Sequence, residues 1–188
     1  DQPRSRGLGD VYKRQVKKYI NEPVDKFIME LKKTGEYLNS SRPTAVNLSW
    51  AVNRIIQRAE NSFFNSSNEL WYELEREAEN IYNEDKKICA NIGRYGAELI
   101  YDNFGILTHC NAGALAVSEL GTALSPIYTA LNEGKTFKVY ADETRPLLQG
   151  ARLTSYELQT AGVDVTLICD NMAAYAMSKG LIDVVIVG

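Results

Sequence analysis

Residues 105–124 read GILTHCNAGALAVSELGTAL. Ile106-Leu107 is a short apolar run with the character of a buried strand end. The polar cluster Thr108-His109-Cys110-Asn111 interrupts it, Gly113 follows, and small and apolar residues then recur at helical spacing. Strand, tight turn and helix make the βα unit of an α/β fold. Ligands of such folds bind at the carboxyl ends of the strands, beside helix N-termini. That places Cys110 on the ligand side. It also places the backbone N–H groups around Ala112 and Gly113 where they could hold an anion such as phosphate.

Downstream the alternation continues. Phe137–Tyr140, Val163–Ile168 and Leu181–Val187 read as further strands. Ala114–Leu131, Leu148–Ala161 and Asn171–Lys179 read as helices between them. Such alternation predicts a parallel sheet with right-handed crossovers. Upstream the period is helical. Ile20, Val24, Phe27, Ile28 and Leu31 share one face, with Pro23 near the start and Gly35 expected to end the helix. Pro43 opens a second helix, capped by Ser41 or Thr44 and carrying Val46, Leu48, Trp50, Val52, Ile55 and Ile56. A long third helix, capped by Ser67 and Asn68, runs towards Tyr101 and carries Cys89 as a buried structural thiol. Residues 1–15 lack periodicity and read as a frayed or foreign leader. The expected organisation is therefore α/β: a leader at 1–15, a helical N-terminal domain at 16–102, and a Rossmann-like parallel-sheet domain at 103–188 that is incomplete at the C-terminus.

The chain has 188 residues, 45% hydrophobic and 24% charged, with a formal net charge of -3. That is an ordinary globular balance, and the acidic excess argues against nucleic acid as partner. No apolar stretch is long enough to span a bilayer, and no secretory signal is evident. Cys89, Cys110 and Cys169 form no CxxC pair, which fits a reducing cytoplasm. One histidine without a close Cys/His cluster argues against structural zinc. No GxGxxG follows the first strand, and no GxxxxGK[ST] is present.

Loops that follow parallel strands share one site. Here they are Thr108–Asn111, Ala141–Pro146 and Cys169–Asn171, which gather a thiol, carboxylates and an arginine. Such a set suits proton transfer and anion binding. Cys110 reads either as a small buried thiol or as a thiol activated at a helix N-terminus; Cys169 reads as a core thiol. Sequence neighbours seldom face the same way, so His109 reads as a hydrogen-bonded strand-end residue rather than a base for Cys110. Arg42 reads either as a solvated surface arginine or as a phosphate contact.

SRPTAVNLSWAVNR at 41–54, ILTHCNAGALA at 106–116, GTAL at 121–124, VYADETRPLLQGARLTSYEL at 139–158 and DNMAAYAM at 170–177 together resemble the S-methyl-5-thioribose-1-phosphate isomerases. That wider family includes ribose-1,5-bisphosphate isomerases and the regulatory subunits of translation initiation factor two-B. The resemblance covers nearly all of 16–188. It implies an aldose–ketose isomerase of methionine salvage, converting 5-methylthioribose 1-phosphate to 5-methylthioribulose 1-phosphate. The alternatives it leaves are ribose-1,5-bisphosphate isomerase and a non-catalytic regulatory subunit. It assigns Cys110 as the catalytic thiol, and Arg42 and Gln149 as substrate contacts, and it implies neither metal nor organic cofactor. The expected partners are a small sugar phosphate and a second copy of the chain, with no nucleic acid and no membrane. Two features depart from the family pattern. Residues 1–15 do not supply its Arg-Gly-Ala-Pro substrate loop, and the chain stops at Gly188, before the Ala-Asp-Arg whose aspartate is the second catalytic residue. A piece cut at both ends is the expectation.

Overall fold

The computed structural model describes residues 15–41 and 46–188. Arg42, Pro43 and Thr44 lie outside the described residues, as does nearly all of the expected leader. The chain divides into two compact units, one ending at Glu84 and the other spanning Asp85–Gly188.

The first unit holds α1 (Val24–Ser41), α2 (Val46–Glu60) and the start of α3 (Ser67–Ala97). Phe27, Leu31 and Leu38 on α1 meet Leu48, Val52, Ile55 and Ala59 on α2, and Leu70, Trp71 and Leu74 on α3. These spacings of three, four and seven trace one face of each helix. Gly35 falls on that face and is buried, so α1 runs past it to Ser41 instead of ending there. Val46 and Trp50 leave the inner face and are exposed. Arg54 lies over the Trp50 ring and pairs with Glu77 and Glu84 of α3. The cap of α3 lies one residue before the expected pair. Ser66 Oγ accepts the Glu69 N–H at 3.2 Å. Ser67 is buried, and its hydroxyl donates to the Glu22 carbonyl.

The second unit is a four-stranded parallel sheet, order β3-β2-β1-β4, as the strand–helix alternation predicted. Its strands are β1 (Phe104–Thr108), β2 (Phe137–Asp142), β3 (Val165–Ile168) and β4 (Val184–Val185). Ile106 of β1 stands beside Val139 of β2 and Val184 of β4. These residues join Leu124, Ile127, Leu158 and the end of α3 (Ala97) in one apolar core. The chain steps from β1 outward to β2 and β3, then returns to lay β4 on the other side of β1. The strand order therefore reverses at the β1–β4 boundary.

Four elements differ from expectation. Helix α4 covers only Ser125–Asn132, and residues 113–124 form turns, with positive φ at Glu119 and Gly121. The cause is a buried carboxylate that takes the N–H groups of Ala114 and Leu115, described below. After β2, a π-helical turn (Gly150–Thr154) leads into α5 (Ser155–Thr160). After β3, a 3₁₀ turn (Asp170–Met172) leads into α6 (Ala173–Ser178). Finally, β4 is much shorter than Leu181–Val187, although the Asp183 and Ile186 N–H groups extend its bonding to Gly105 and Leu107. Val185 of β4 is exposed, as is Val187 beyond it. No described helix is long and apolar enough to cross a membrane.

Candidate active site at the strand ends

Cys110 is the second residue after β1, and its φ is +61°. A left-handed conformation costs a non-glycine residue roughly 1–2 kcal/mol, so it persists only where neighbours enforce it. Two threonine hydroxyls do so. The Cys110 N–H donates to Thr144 Oγ1 at 2.8 Å, and the Cys110 carbonyl accepts from Thr154 Oγ1 at 2.5 Å. Thr154 is fully buried and Thr144 nearly so. The thiol itself is exposed, which removes the reading of Cys110 as a small buried thiol. No helix starts behind it, so no helix dipole points at it. Cys169 is also exposed, against its expected place in the core: it sits in extended conformation before the 3₁₀ turn. Cys89 is the buried thiol, its pKa pushed up to about 11 chiefly by desolvation.

The turns after Cys110 are organised by Glu157 of α5, which is 9% exposed. Its Oε2 accepts the Ala114 N–H at 2.8 Å, and its Oε1 accepts Asn111 Nδ2 at 2.8 Å and the Leu115 N–H at 3.3 Å. The Tyr128 hydroxyl donates to Oε2 at 3.4 Å, and its pKa is raised by burial and then by this negative neighbour. An internal carboxylate thus occupies amides next to those expected to receive a substrate anion. A Cβ at Gly113 would lie 2.2 Å from Glu157 Oε2, so only glycine allows the carboxylate this close. The sequence carried a signal for Glu157. Positions 150, 154, 157 and 158 form one helical face, and a glutamate on a face shared with Leu158 is a charge in a core position.

The β2 and β3 ends complete the site. His109 Nδ1 lies 2.9 Å from Asp142 Oδ2, as expected for a hydrogen-bonded strand-end histidine. Asp170 accepts the N–H groups of Arg145 and Thr144, each at 2.8 Å, and these bonds hold its pKa below the ordinary value. They also fix Thr144 at φ +61°, which aims its hydroxyl at Cys110. A ligand atom from each of His109, Asp142 and Asp170 lies within 4.8 Å of the others. Internal hydrogen bonds engage all three residues, and we assign no ion to them. Gln149 is half-buried at the entrance to the π turn, next to Gly150, which lies against Thr144 and the Asp142 carbonyl. Beyond β4, Gly188 lies against Ala112 and Thr122, so the β4 exit adjoins the Cys110 loop. In open parallel sheets, ligands bind at the carboxyl ends where strand order reverses. Here that crevice lies between β1 and β4, at Cys110.

Comparison with known proteins places this arrangement. Residues 4–188 match the Initiation factor 2 subunit family. A methylthioribose-1-phosphate isomerase of Parabacteroides distasonis is 57% identical over 86% of this chain and 48% of its own. A 5-deoxyribose 1-phosphate isomerase of Petrotoga mobilis is 52% identical over 88% of this chain and 48% of its own. The solved 5-methylthioribose 1-phosphate isomerase of Pyrococcus horikoshii superposes with a TM-score of 0.82 at 38% identity, covering 98% of this chain and 51% of its own. A translation initiation factor eIF-2B delta subunit from A. fulgidus gives 0.80 at 41% identity, covering 98% and 54%. The chain thus spans about half the length of the relatives it matches. With a match over nearly its whole length, and a helical unit followed by a parallel-sheet unit in common with these structures, the chain belongs to the Initiation factor 2 subunit family.

Proposed function

We propose that this protein is an aldose–ketose isomerase acting on a 5-deoxyribose 1-phosphate skeleton, with 5-methylthioribose 1-phosphate, the methionine-salvage sugar, as its substrate. The observation that carries this reading is Cys110: an exposed thiol on a backbone held left-handed by two threonines, at the point where the strand order reverses. The names of the relatives supply the substrate class, and two of them differ only in what the sugar carries at C5. In the isomerisation, the C1–ring oxygen bond breaks, hydrogen passes from C2 to C1, and the C2 hydroxyl becomes a carbonyl. One proton must reach the ring oxygen and one must leave the C2 hydroxyl. Cys110 handles a proton beside the anomeric carbon, Arg42 holds the phosphate and Gln149 contacts the sugar.

The experiment is a coupled assay with 5-methylthioribose 1-phosphate and 5-deoxyribose 1-phosphate, on the wild type and on Cys110→Ser. Serine is nearly isosteric with cysteine but far less acidic. Turnover by the wild type should fall about 100-fold or more in the variant, the usual size of an acid–base contribution. A variant within a few-fold of wild type removes Cys110 from catalysis. A second reading, a non-catalytic subunit, is favoured by the 41% identity to the eIF-2B delta structure. It predicts no turnover of either sugar.

A further inference from the structure

Cys110 and Thr144 lie on the loops after β1 and β2, both with φ +61°, and they are hydrogen-bonded to each other. Glycine or asparagine adopts this backbone at least cost, whereas a cysteine and a threonine must be held in it. The holding groups form a relay across the ends of β3, β2 and β1. After β3, the Asp170 carboxylate accepts the Thr144 N–H on one oxygen and the Arg145 N–H on the other, each at 2.8 Å. After β2, Thr144 is buried, and its hydroxyl donates to the Asp142 carbonyl at 3.2 Å. A hydroxyl has one proton to give, so the same oxygen uses a lone pair to receive the Cys110 N–H at 2.8 Å. After β1, Thr154 holds the Cys110 carbonyl from the other side. Fixing both the N–H and the carbonyl of one residue fixes its φ and ψ together. Gly150 closes the arrangement, since a Cβ there would lie 1.7 Å from the Asp142 carbonyl oxygen and 2.9 Å from Thr144 Oγ1. All of these bonds engage the Cys110 backbone and leave its thiol exposed. A buried network spent on aiming one exposed group is a reason to look for its use in function.

We propose that Thr144 and Asp170 are positioning residues for the isomerisation: the carboxylate after β3 sets the Thr144 backbone, and the Thr144 hydroxyl holds Cys110 in the left-handed conformation from which its thiol works. The role of the thiol rests on the isomerase reading above. Neither residue needs to touch the sugar. Thr144 acts through the Cys110 N–H, and Asp170 acts through Thr144. Removing the hydroxyl leaves the Cys110 N–H without its acceptor and frees the backbone to leave a conformation that costs roughly 1–2 kcal/mol to hold. The thiol then swings away with the peptide plane that carries it.

Two measurements test this. The chain has three cysteines, so cysteine-selective isotope labelling gives three backbone NMR signals, each assigned by serine replacement. A positive φ brings a residue's own amide and α protons close together. Cys110 should therefore show a strong cross-peak between them, and Cys169, at φ -71°, a weak one. In Thr144→Val, which keeps the shape and loses the hydroxyl, the Cys110 cross-peak should weaken to the Cys169 level. In Thr144→Ser it should stay strong. In the assay with 5-methylthioribose 1-phosphate and 5-deoxyribose 1-phosphate, Thr144→Val should lower kcat about 100-fold with KM within a few-fold, the effect of a misplaced reacting group. Thr144→Ser should restore kcat to within a few-fold of wild type. Asp170→Asn should lower kcat about tenfold, and adding it to Thr144→Val should lower kcat no further, because one acts through the other; independent losses of stability would add. Should Thr144→Val fail to fold, Asp170→Asn carries the same two readings. A Cys110 cross-peak unchanged in these variants overturns the proposal. So does kcat near wild type in Thr144→Val while Cys110→Ser is inactive, which leaves the isomerase reading standing. Failure of the wild type on both sugars sinks that reading, and the proposal with it.

Discussion

The two units of this chain are held by different chemistry. In the helical unit, Phe27, Leu31, Val52, Ile55 and Leu70 pack face to face, and its ion pairs, such as Arg54 with Glu84 and Arg58 with Glu73, sit at the surface. At the strand ends of the second unit, the anchoring groups are buried and polar. Thr144, Thr154 and Glu157 hold backbone N–H and carbonyl groups of the residues after β1. Apolar packing is non-directional and tolerates exchange at constant volume. A buried hydrogen-bond network is directional and fixes one geometry, at a high cost when it is broken. The helical unit can therefore hold its shape with many sequences, whereas the strand ends hold one arrangement of Cys110.

The sharpest way to break this contrast is Glu157→Leu. The change adds apolar surface of similar volume, which a purely hydrophobic region accepts with little loss. Here it strips acceptors from the Ala114 and Leu115 N–H groups, Asn111 and Tyr128. Each buried donor left unpaired costs about 1–3 kcal/mol, so a total of roughly 3–5 kcal/mol is expected in urea unfolding, allowing for partial relaxation. A loss below about 1 kcal/mol would mean that packing, and not the carboxylate, organises the turns.

A smaller effect, seen as a pH dependence, comes from Asp170. Its carboxyl is held below the ordinary value of 3.8 by the Arg145 and Thr144 N–H groups. A carboxyl whose pKa is lowered on folding contributes stability above its unfolded pKa and loses it as pH falls through the folded one. Wild type should therefore exceed Asp170→Asn in stability at neutral pH, and the gap should close as pH drops below about 3.8. A gap that is independent of pH would show that the ionised carboxyl adds nothing.

Arg54→Ala should do least. It removes contacts with Glu77, Glu84 and the Trp50 ring. The Glu77 pair is half-buried and the Glu84 pair more exposed; solvent-accessible pairs are typically worth up to about 1 kcal/mol, so the urea midpoint should move little. A loss matching Glu157→Leu would erase the distinction between the two units.

The same contrast explains what the sequence made legible. Hydrophobic period marked α1, α2 and α3 and the four described strands, because burial imposes spacing on apolar residues. The site was readable to the extent that Cys110 and the Asp142–Arg145 loop lie where parallel strands end. The turns at residues 113–124 were not readable. Ala114, Leu115 and Ala116 favour a helix locally, and a carboxylate more than forty residues away in sequence overrides that preference. Likewise, the left-handed Cys110 depends on Thr144 and Thr154, and long-range hydrogen bonds leave no local period. Glu157 went unread as well, although a charge on the inner face of its helix is a signal that could have found it.

The most direct test is alkylation of the native protein by iodoacetamide, read cysteine by cysteine by mass spectrometry, with and without 5-methylthioribose 1-phosphate. Cys110 and Cys169 should label, and Cys89 should not until the protein unfolds, since it is buried with its pKa pushed up to about 11. The sugar phosphate should slow labelling at Cys110 and leave Cys169 unchanged. Labelling of Cys110 at one rate with and without the sugar, or a Cys110 as unreactive as Cys89, would contradict a substrate site built around Cys110.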